Sequence, residues 1–338
     1  MTFRMPPEWA PHERTWMAWP GPNPTFTDEE ELAAARAAWA SVARAVRRFE
    51  PVTMVVGPDG AESARALLGP DVELAERELD DAWMRDIGPT FVVDGSELAA
   101  VDWVFNGWGG QDWARWEHDS KIARQVADLV GAPVLSSPLV NEGGAIHVDG
   151  EGTVLLTDTV QLGAGRNPEW TREQVEAEIH AKLGTTKAIW LPHGLTGDYG
   201  MYGTQGHVDI VAAFAAPGVV VVHSQQDPAH PDHERSRTYV DILSRQTDAK
   251  GRALEVVEVP APTVLKDEDG DWVDYSYINH YLCNGGVVLC GFDDPNDEIA
   301  AGIFRRLFPE RTVTLVDART VFAGGGGIHC ITQQQPKV

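Results

Sequence analysis

The chain has 338 residues, 27 of them basic and 51 acidic, for a formal charge of −24, and 43% are hydrophobic. That balance argues against nucleic acid, which needs a basic footprint, and against an anionic membrane surface; it suits a cationic small molecule. No run approaches the roughly 18 apolar residues of a membrane span, and Met1 to Pro20 lacks the basic and apolar regions of a signal peptide. Three cysteines with no Cys-x-x-Cys pair fit a reducing cytoplasm and no structural zinc site.

Taken in order, Thr15 to Trp19 is strand-like and closed by Pro20. A helix is expected from about Thr27 to Phe49, with Thr27 as N-cap, Asp28, Glu29 and Glu30 in the first turn, and an apolar stripe of Leu32, Trp39, Val42 and Val46. Strand Val52 to Val56 follows. Then one order of elements recurs. Pro89 to Val93 and Leu98 to Phe105 form a hairpin, followed by a helix at Asp119 to Leu129 and strand Val134-Leu135. Ala145 to Val148 and Thr153 to Leu156 precede a helix at Thr171 to Leu183 and strand Ala188 to Leu191. His207 to Phe214 and Val219 to His223 precede a helix at Asp232 to Arg245 and strand Leu254 to Val259. Tyr277 to Cys283 and Val287 to Gly291 pair across Asn284-Gly285-Gly286, a strong hairpin turn, before a helix at Asp297 to Phe308 and strand Thr312 to Val316.

Four strand–strand–helix–strand units are therefore complete. The N-terminal strand, helix and strand make a fifth if Gly326 to Thr332 supplies the missing hairpin partner. Such a repeat predicts an α/β propeller-like array whose ends meet, in one domain covering residues 1–338; the plainer alternative is an open α/β sandwich. The twelve tryptophans, and Cys283 and Cys290, read as core; His230 and His233 read as surface or capping residues.

Near the C-terminus, Gly324 to Gly327 run into Ile328-His329-Cys330-Ile331-Thr332. Glycines allow a sharp turn and close approach of a ligand, so Cys330 reads as a thiol at a strand start facing a cavity, or as a buried structural cysteine. Asp86, Glu142, His207 and Asp209 fall at corresponding hairpin starts, where pseudosymmetry brings equivalent positions to one mouth. The spacing of His207 and Asp209 puts both on one face of a strand. Singly, Asp86 reads equally as a turn cap with Arg85 as a surface ion-pair partner, Glu142 as a loop carboxylate, and His-x-Asp as a surface pair. Together they have a definite use. Two carboxylates grip a planar guanidinium, a thiolate attacks its central carbon, and a carboxylate-held histidine protonates the departing ammonia and then activates water.

With these residues assembled, the chain resembles the agmatine deiminases of the guanidine-modifying (pentein) superfamily over nearly its whole length. The likeness runs through Met5-Pro6-Pro7-Glu8-Trp9, Pro11-His12-Glu13, Trp83 to Pro89, Asp102 to Asn106, Trp108-Gly109-Gly110, Glu142-Gly143-Gly144, His147 to Gly152, Gly165-Arg166-Asn167-Pro168, Gly206-His207-Val208-Asp209 and Ile328 to Pro336. The resemblance implies a five-bladed α/β propeller with no cofactor and no metal. It implies Cys330 as the nucleophile of an S-alkylthiouronium intermediate and His207 as general acid, then base. Asp86 and Asp209 would hold the guanidinium, Glu142 would orient His207 or the guanidinium, and Trp83 and Trp108 would wall the pocket. The product would be an N-carbamoyl compound plus ammonia, and the family often forms dimers or larger assemblies, which admits a homo-oligomer without fixing the oligomeric state.

The chain departs from the family pattern in the loop Asp198 to Gln205, which is longer and carries Asp198 as its one acid, and at Ile210 to Phe214 and Thr157 to Leu162. The guanidinium end is complete, while the walls toward the substrate's other end differ. Three alternatives stand beside the deiminase reading. One is transfer of the amidino group, or hydrolysis of another guanidine such as arginine. Another is a metal-dependent hydrolase using His207, Asp209, Glu142 and His329. The third is a non-catalytic guanidinium binder.

Overall fold

The computed structural model describes residues 2–267 and 270–338. The molecule is α/β, with five separate mixed sheets among the described residues. Four sheets have three strands each. These are β4 (Thr90–Asp94), β5 (Glu97–Val104) and β6 (Val134–Val140); β7 (His147–Val148), β8 (Thr153–Thr157) and β9 (Lys187–Leu191); β10 (Ala212–Ala216), β11 (Val219–Ser224) and β12 (Glu255–Pro260); and β13 (Tyr281–Cys283), β14 (Gly286–Gly291) and β15 (Thr312–Asp317). In each, the first two strands pair antiparallel and the third lies parallel to the second. A parallel return requires a crossover, and the helices Ile122–Val130, Arg172–Leu183, Asp232–Ser244 and Asp297–Leu307 supply one to each sheet.

The remaining sheet joins the two ends of the chain. Its order is β16 (Gln333–Pro336), β1 (His12–Ala18), β2 (Val52–Val56) and β3 (Glu73–Glu76). β16 is antiparallel to β1, with His12 opposite Pro336 and Trp16 opposite Gln333. The closing partner expected at Gly326 to Thr332 is thus Gln333–Pro336. The glycine-rich segment stays irregular and positions the residues in front of the strand. A helix at Ala61–Leu68 and the strand β3 were not legible as elements, because Gly57, Pro58 and Gly69 interrupt so short a stretch.

The expected helices are present with trimmed ends. The first runs Glu29–Arg47, and its N-cap is Asp28 rather than Thr27: Asp28 Oδ1 accepts from the amides of Glu30 and Glu31, while the amide and hydroxyl of Thr27 donate to Glu31. The strand expected at Tyr277 to Cys283 begins only at Tyr281. His230 is buried, and its Nδ1 accepts the Asp232 amide at the start of the helix Asp232–Ser244, so it caps from inside.

Burial is graded across every sheet. The third strands are half exposed at their outer edge, β14 is buried throughout, and β7, β13 and β16 show no exposed residue. The strands β4, β7, β10, β13 and β16, each at the opposite edge of its sheet from the third strand, carry no exposed residue. The residues that immediately precede those strands converge on the middle of the molecule. Cys283 and Cys290 are buried core residues, as are Trp16, Trp19 and Trp39.

Candidate active site

One polar side chain comes from the approach to one edge strand of each sheet: Asp86 before β4, Glu142 before β7, His207 before β10, Asn279 before β13 and Cys330 before β16. Cys330 is held in a turn ahead of its strand, not at a strand start, because Thr332 turns back to bond the carbonyls of Ile328 and His329. Asn279 Oδ1 accepts the amide of His329 at 2.9 Å, and its Nδ2 lies 3.3 Å from the Cys330 sulfur. The turn Met84–Ile87 docks against this segment. Arg85 donates its amide to the Cys330 carbonyl (3.1 Å), its Nε to the His329 carbonyl (3.2 Å) and its Nη1 to Gln334 (2.7 Å). Arg85 is thus an interior strut rather than a surface ion-pair partner.

Asp86 is aimed by two donors, the Gly144 amide on Oδ1 and the Trp108 indole on Oδ2, both at 2.9 Å. Trp108 therefore orients a carboxylate as well as walling the site. It stacks on Trp113 with ring centres 5.4 Å apart, and Trp113 meets Tyr202 edge-on. Trp83 is buried against Trp39, and its ring edge shares the space beside the Cα of Gly326 with the Cys330 sulfur.

His207 and Asp209 do not lie on a strand. Asp198 takes the amides of Thr204 and Gly206 on its carboxylate, and the chain turns through a positive φ at Gln205 and Gly206. His207 then opens a short 3₁₀ turn, Val208–Ile210, and β10 begins only at Ala212. Both side chains still reach one place, by wrapping around Gly144. A Cβ on Gly144 would sit 2.5 Å from His207 Nδ1, 2.9 Å from Asp209 Oδ2 and 3.1 Å from Asp86 Oδ1. A side chain there would fill the point on which these three groups converge. His207 Nδ1 and Asp209 Oδ1 are buried with no hydrogen-bond partner, although buried polar atoms are ordinarily satisfied. The site is thus built around groups that await donors and acceptors from elsewhere.

Glu142 is shared. Its two oxygens accept from Arg166 Nε at 3.0 Å, and Oε2 lies 3.4 Å from His207 Nε2. Arg166 also donates to the Thr204 carbonyl, tying the loop before His207 to Glu142. Burial opposes ionisation of Glu142, but Arg166 and His207 outweigh it and hold the carboxyl below its usual range. Burial likewise opposes the charge on His207, yet Asp86, Glu142 and Asp209 raise its pKa to about 9. Burial, then the charges of Asp209 and Asp86, push the Cys330 thiol well above its ordinary value. Asp86 is raised, chiefly by burial. Burial opposes ionisation of Asp209, but the hydrogen bond and charge of His329, with the charges of His207 and Arg85, together lower its pKa. These shifts favour a protonated thiol at Cys330 and an imidazolium at His207.

Asn279 is the functional position that sequence reasoning missed. Its signal was available, since it is the polar residue at the hairpin start of the fourth unit. Arg166 and Glu8 lie in the family-like motifs, but their partners are distant in sequence. Of the residues weighed for a metal, Glu142 pairs with His207 and Asp209 with His329. The group whose donor atoms lie close enough to share an ion, among the described residues, is Glu8, His147 and His329. Arg85 already stands 3.6 Å from Glu8, and both ring nitrogens of His329 are engaged by carboxylates, so this set does not fit a cation.

The family model for Porphyromonas-type peptidyl-arginine deiminases matches residues 4–336. A Streptomyces coelicolor protein, named provisionally as an agmatine deiminase, is 85% identical over 338 residues, all of both chains. The agmatine deiminase of Stutzerimonas stutzeri is 42% identical over 99% of this chain and 95% of its own. The solved agmatine deiminase of Enterococcus faecalis superposes with a TM-score of 0.93 at 35% identity, covering 99% of this chain and 96% of that one.

Proposed function

The chain belongs to the Porphyromonas-type peptidyl-arginine deiminase family, and we propose that it hydrolyses the guanidinium group of agmatine or a related small guanidine to an N-carbamoyl compound and ammonia. The observation that carries this is the convergence at Gly144 of the unpartnered His207 Nδ1 with Asp209 Oδ2 and Asp86 Oδ1, the Cys330 sulfur lying 3.6 Å from that Asp209 oxygen. Asp86 and Asp209 take the planar cation by charged hydrogen bonds. Trp83 and Trp108 exclude water at its sides.

The chemistry follows from the electrostatics. With no substrate, two carboxylates keep the thiol protonated. The incoming cation neutralises them and places positive charge beside Sγ, so the thiol proton passes to solvent, to be taken back once product has left, and the thiolate attacks the guanidinium carbon. The His207 imidazolium gives its proton to one amino group, which departs as ammonia and leaves the S-alkylthiouronium. Neutral His207, held by Glu142, then takes a proton from water as its oxygen adds to the same carbon. Collapse breaks the C–S bond, restores the thiolate and the imidazolium, and yields the ureido product with one proton released. Guanidinium plus water thus become the ureido compound, ammonia and a proton.

The five sheets, graded in burial and linked end to end through β16 and β1, support a five-bladed α/β propeller in one domain. Three unpaired thiols support a reducing, cytoplasmic setting. Among the described residues, no helix is long and apolar enough to cross a membrane. The charge of −24 speaks for a cationic ligand over nucleic acid.

Ammonia release from agmatine, arginine, guanidinobutyrate, guanidinopropionate and methylated arginines tests the function, with Cys330→Ala beside the native chain. Turnover of agmatine that Cys330→Ala abolishes is the expected result. Good turnover of a different guanidine, with agmatine poor, would keep the chemistry and move the specificity to the Asp198–Gln205 loop. No turnover of any guanidine would sink the reading.

A further inference from the structure

Behind Asp209 and Cys330 runs a second buried ionic chain that the reaction above does not use. His329 Nδ1 is 2.7 Å from Asp209 Oδ2, and Nε2 is 2.8 Å from Glu8 Oε2. All three side chains are at most 5% exposed. A neutral imidazole carries a single N–H, and an ionised carboxylate only accepts. Both bonds can be made together only by an imidazolium that donates at each nitrogen. The other groups facing His329 reinforce this. Arg85 balances Glu8 at 3.6 Å. His147, with ring centre 6.1 Å away, accepts the Phe214 amide on Nδ1, and burial pushes its pKa down to about 3. His280 faces the same cluster and is pushed down to about 4, again by burial. The positive charge therefore belongs to His329 and Arg85.

Glu8 is itself fixed, since its Oε1 accepts the Leu282 amide of β13 at 2.7 Å. On the far side, the Asp209 Oδ2 that His329 holds lies 3.6 Å from the Cys330 sulfur, and Oδ1 is without a partner. We propose that Glu8 is a positioning residue for the deimination, holding His329 as a doubly donating cation so that Asp209 stays ionised with one oxygen presented to the guanidinium beside Cys330. This rests on the assignment of Asp209 to the guanidinium made above. Residues more than three hundred positions apart in sequence are thereby coupled to one substrate contact.

The test is Glu8→Gln, with Glu50→Gln as its matched control. Glu50 is also buried, also bonded to a histidine (His12, 3.0 Å), and also ties the N-terminal segment to the β13–β14 hairpin through the Asn284 amide. Both variants should melt earlier than the native chain. Only Glu8→Gln should raise KM for the best guanidine, about 10- to 100-fold, the size expected when a charged hydrogen bond is lost. Only Glu8→Gln should move the alkaline limb of kcat/KM to lower pH, because His329 then holds its proton with one carboxylate. His329→Gln should reproduce the KM effect, and the double variant should be no worse than either single one. Glu8→Gln with the KM and pH profile of Glu50→Gln would overturn the proposal. If Glu8→Gln does not fold, a native KM in His329→Gln would overturn it instead. Cys330→Ala in the same assay separates the two readings. If it retains activity, the reaction itself is wrong; if it is inactive while Glu8→Gln is kinetically native, only the positioning role fails.

Discussion

Gly144→Ala isolates the point on which the site converges. The added methyl would lie 2.5 Å from His207 Nδ1 and 2.9 Å from Asp209 Oδ2, with Asp86 Oδ1 at 3.1 Å. Ordinary contact for a carbon is about 3.5 Å, so His207 must retreat by about 1 Å and Asp209 by about half that. None of the three is the far end of a flexible surface chain: all are buried, Asp209 is fixed by His329 and Asp86 by Trp108. Overpacking of this kind costs about 1–3 kcal/mol, which should lower the melting temperature by a few degrees and leave the fold intact. A misplacement of about 1 Å at reacting groups costs on the order of 10²-fold in rate, and the methyl also occupies space the guanidinium needs. We therefore expect kcat/KM for the best guanidine to fall at least 10²-fold while circular dichroism stays native. The assay is steady-state ammonia release alongside a thermal melt. A native kcat/KM in a folded Gly144→Ala protein would mean that the substrate does not bind where His207, Asp209 and Asp86 meet.

Four further outcomes follow from the same geometry. Removing the charge in Arg166→Met leaves Glu142 buried beside His207 alone; breaking such a pair costs about 3–5 kcal/mol, so both the melting temperature and kcat should drop, and an unchanged kcat would show that Glu142 does not act through His207. Because the His207 pKa is raised to about 9, its imidazolium predominates below that pH and is lost above it. The kcat/KM profile should fall as pH rises through about 9, and a flat profile from pH 8 to 10 would refute the acid role. By linkage, the stability arising from this raised pKa is complete below about pH 6.5 and disappears as pH passes about 9, so melts at pH 6 and pH 9.5 should differ less in His207→Gln than in the native chain. Asn279→Ala removes the side-chain acceptor of the His329 amide, which keeps only the Asn279 carbonyl at 3.2 Å, and removes the Nδ2 contact to the Cys330 sulfur; the lost hydrogen bond costs about 0.5–1.5 kcal/mol. Its kcat should fall about 10- to 100-fold, and kcat equal to native would make Asn279 a purely structural residue.

The sequence by itself determined the repeating order of elements and the residues with chemical potential. Periodic apolar runs separated by turn residues are local signals, so the hairpins around Asp94-Gly95 and Asn284-Gly285-Gly286 and the capped helix after Thr171 were legible. The polar residues Asp86, Glu142, His207 and Cys330 near the hairpin starts were legible for the same reason. What the tertiary structure alone decided is how those residues are held. His207 and Asp209 meet by turning around Gly144, which no alternation along a strand encodes: Asp198 takes the amides of Thr204 and Gly206, and the Thr204 hydroxyl takes the amide of His207. Cys330 sits in a turn because β1 selects Gln333–Pro336 as its partner, a choice made by register between the two ends of the chain. Arg85, Arg166 and Glu8 carry no local mark of their roles. Each acts through a partner far away in sequence, and a buried charge takes its meaning from what surrounds it once water has been excluded.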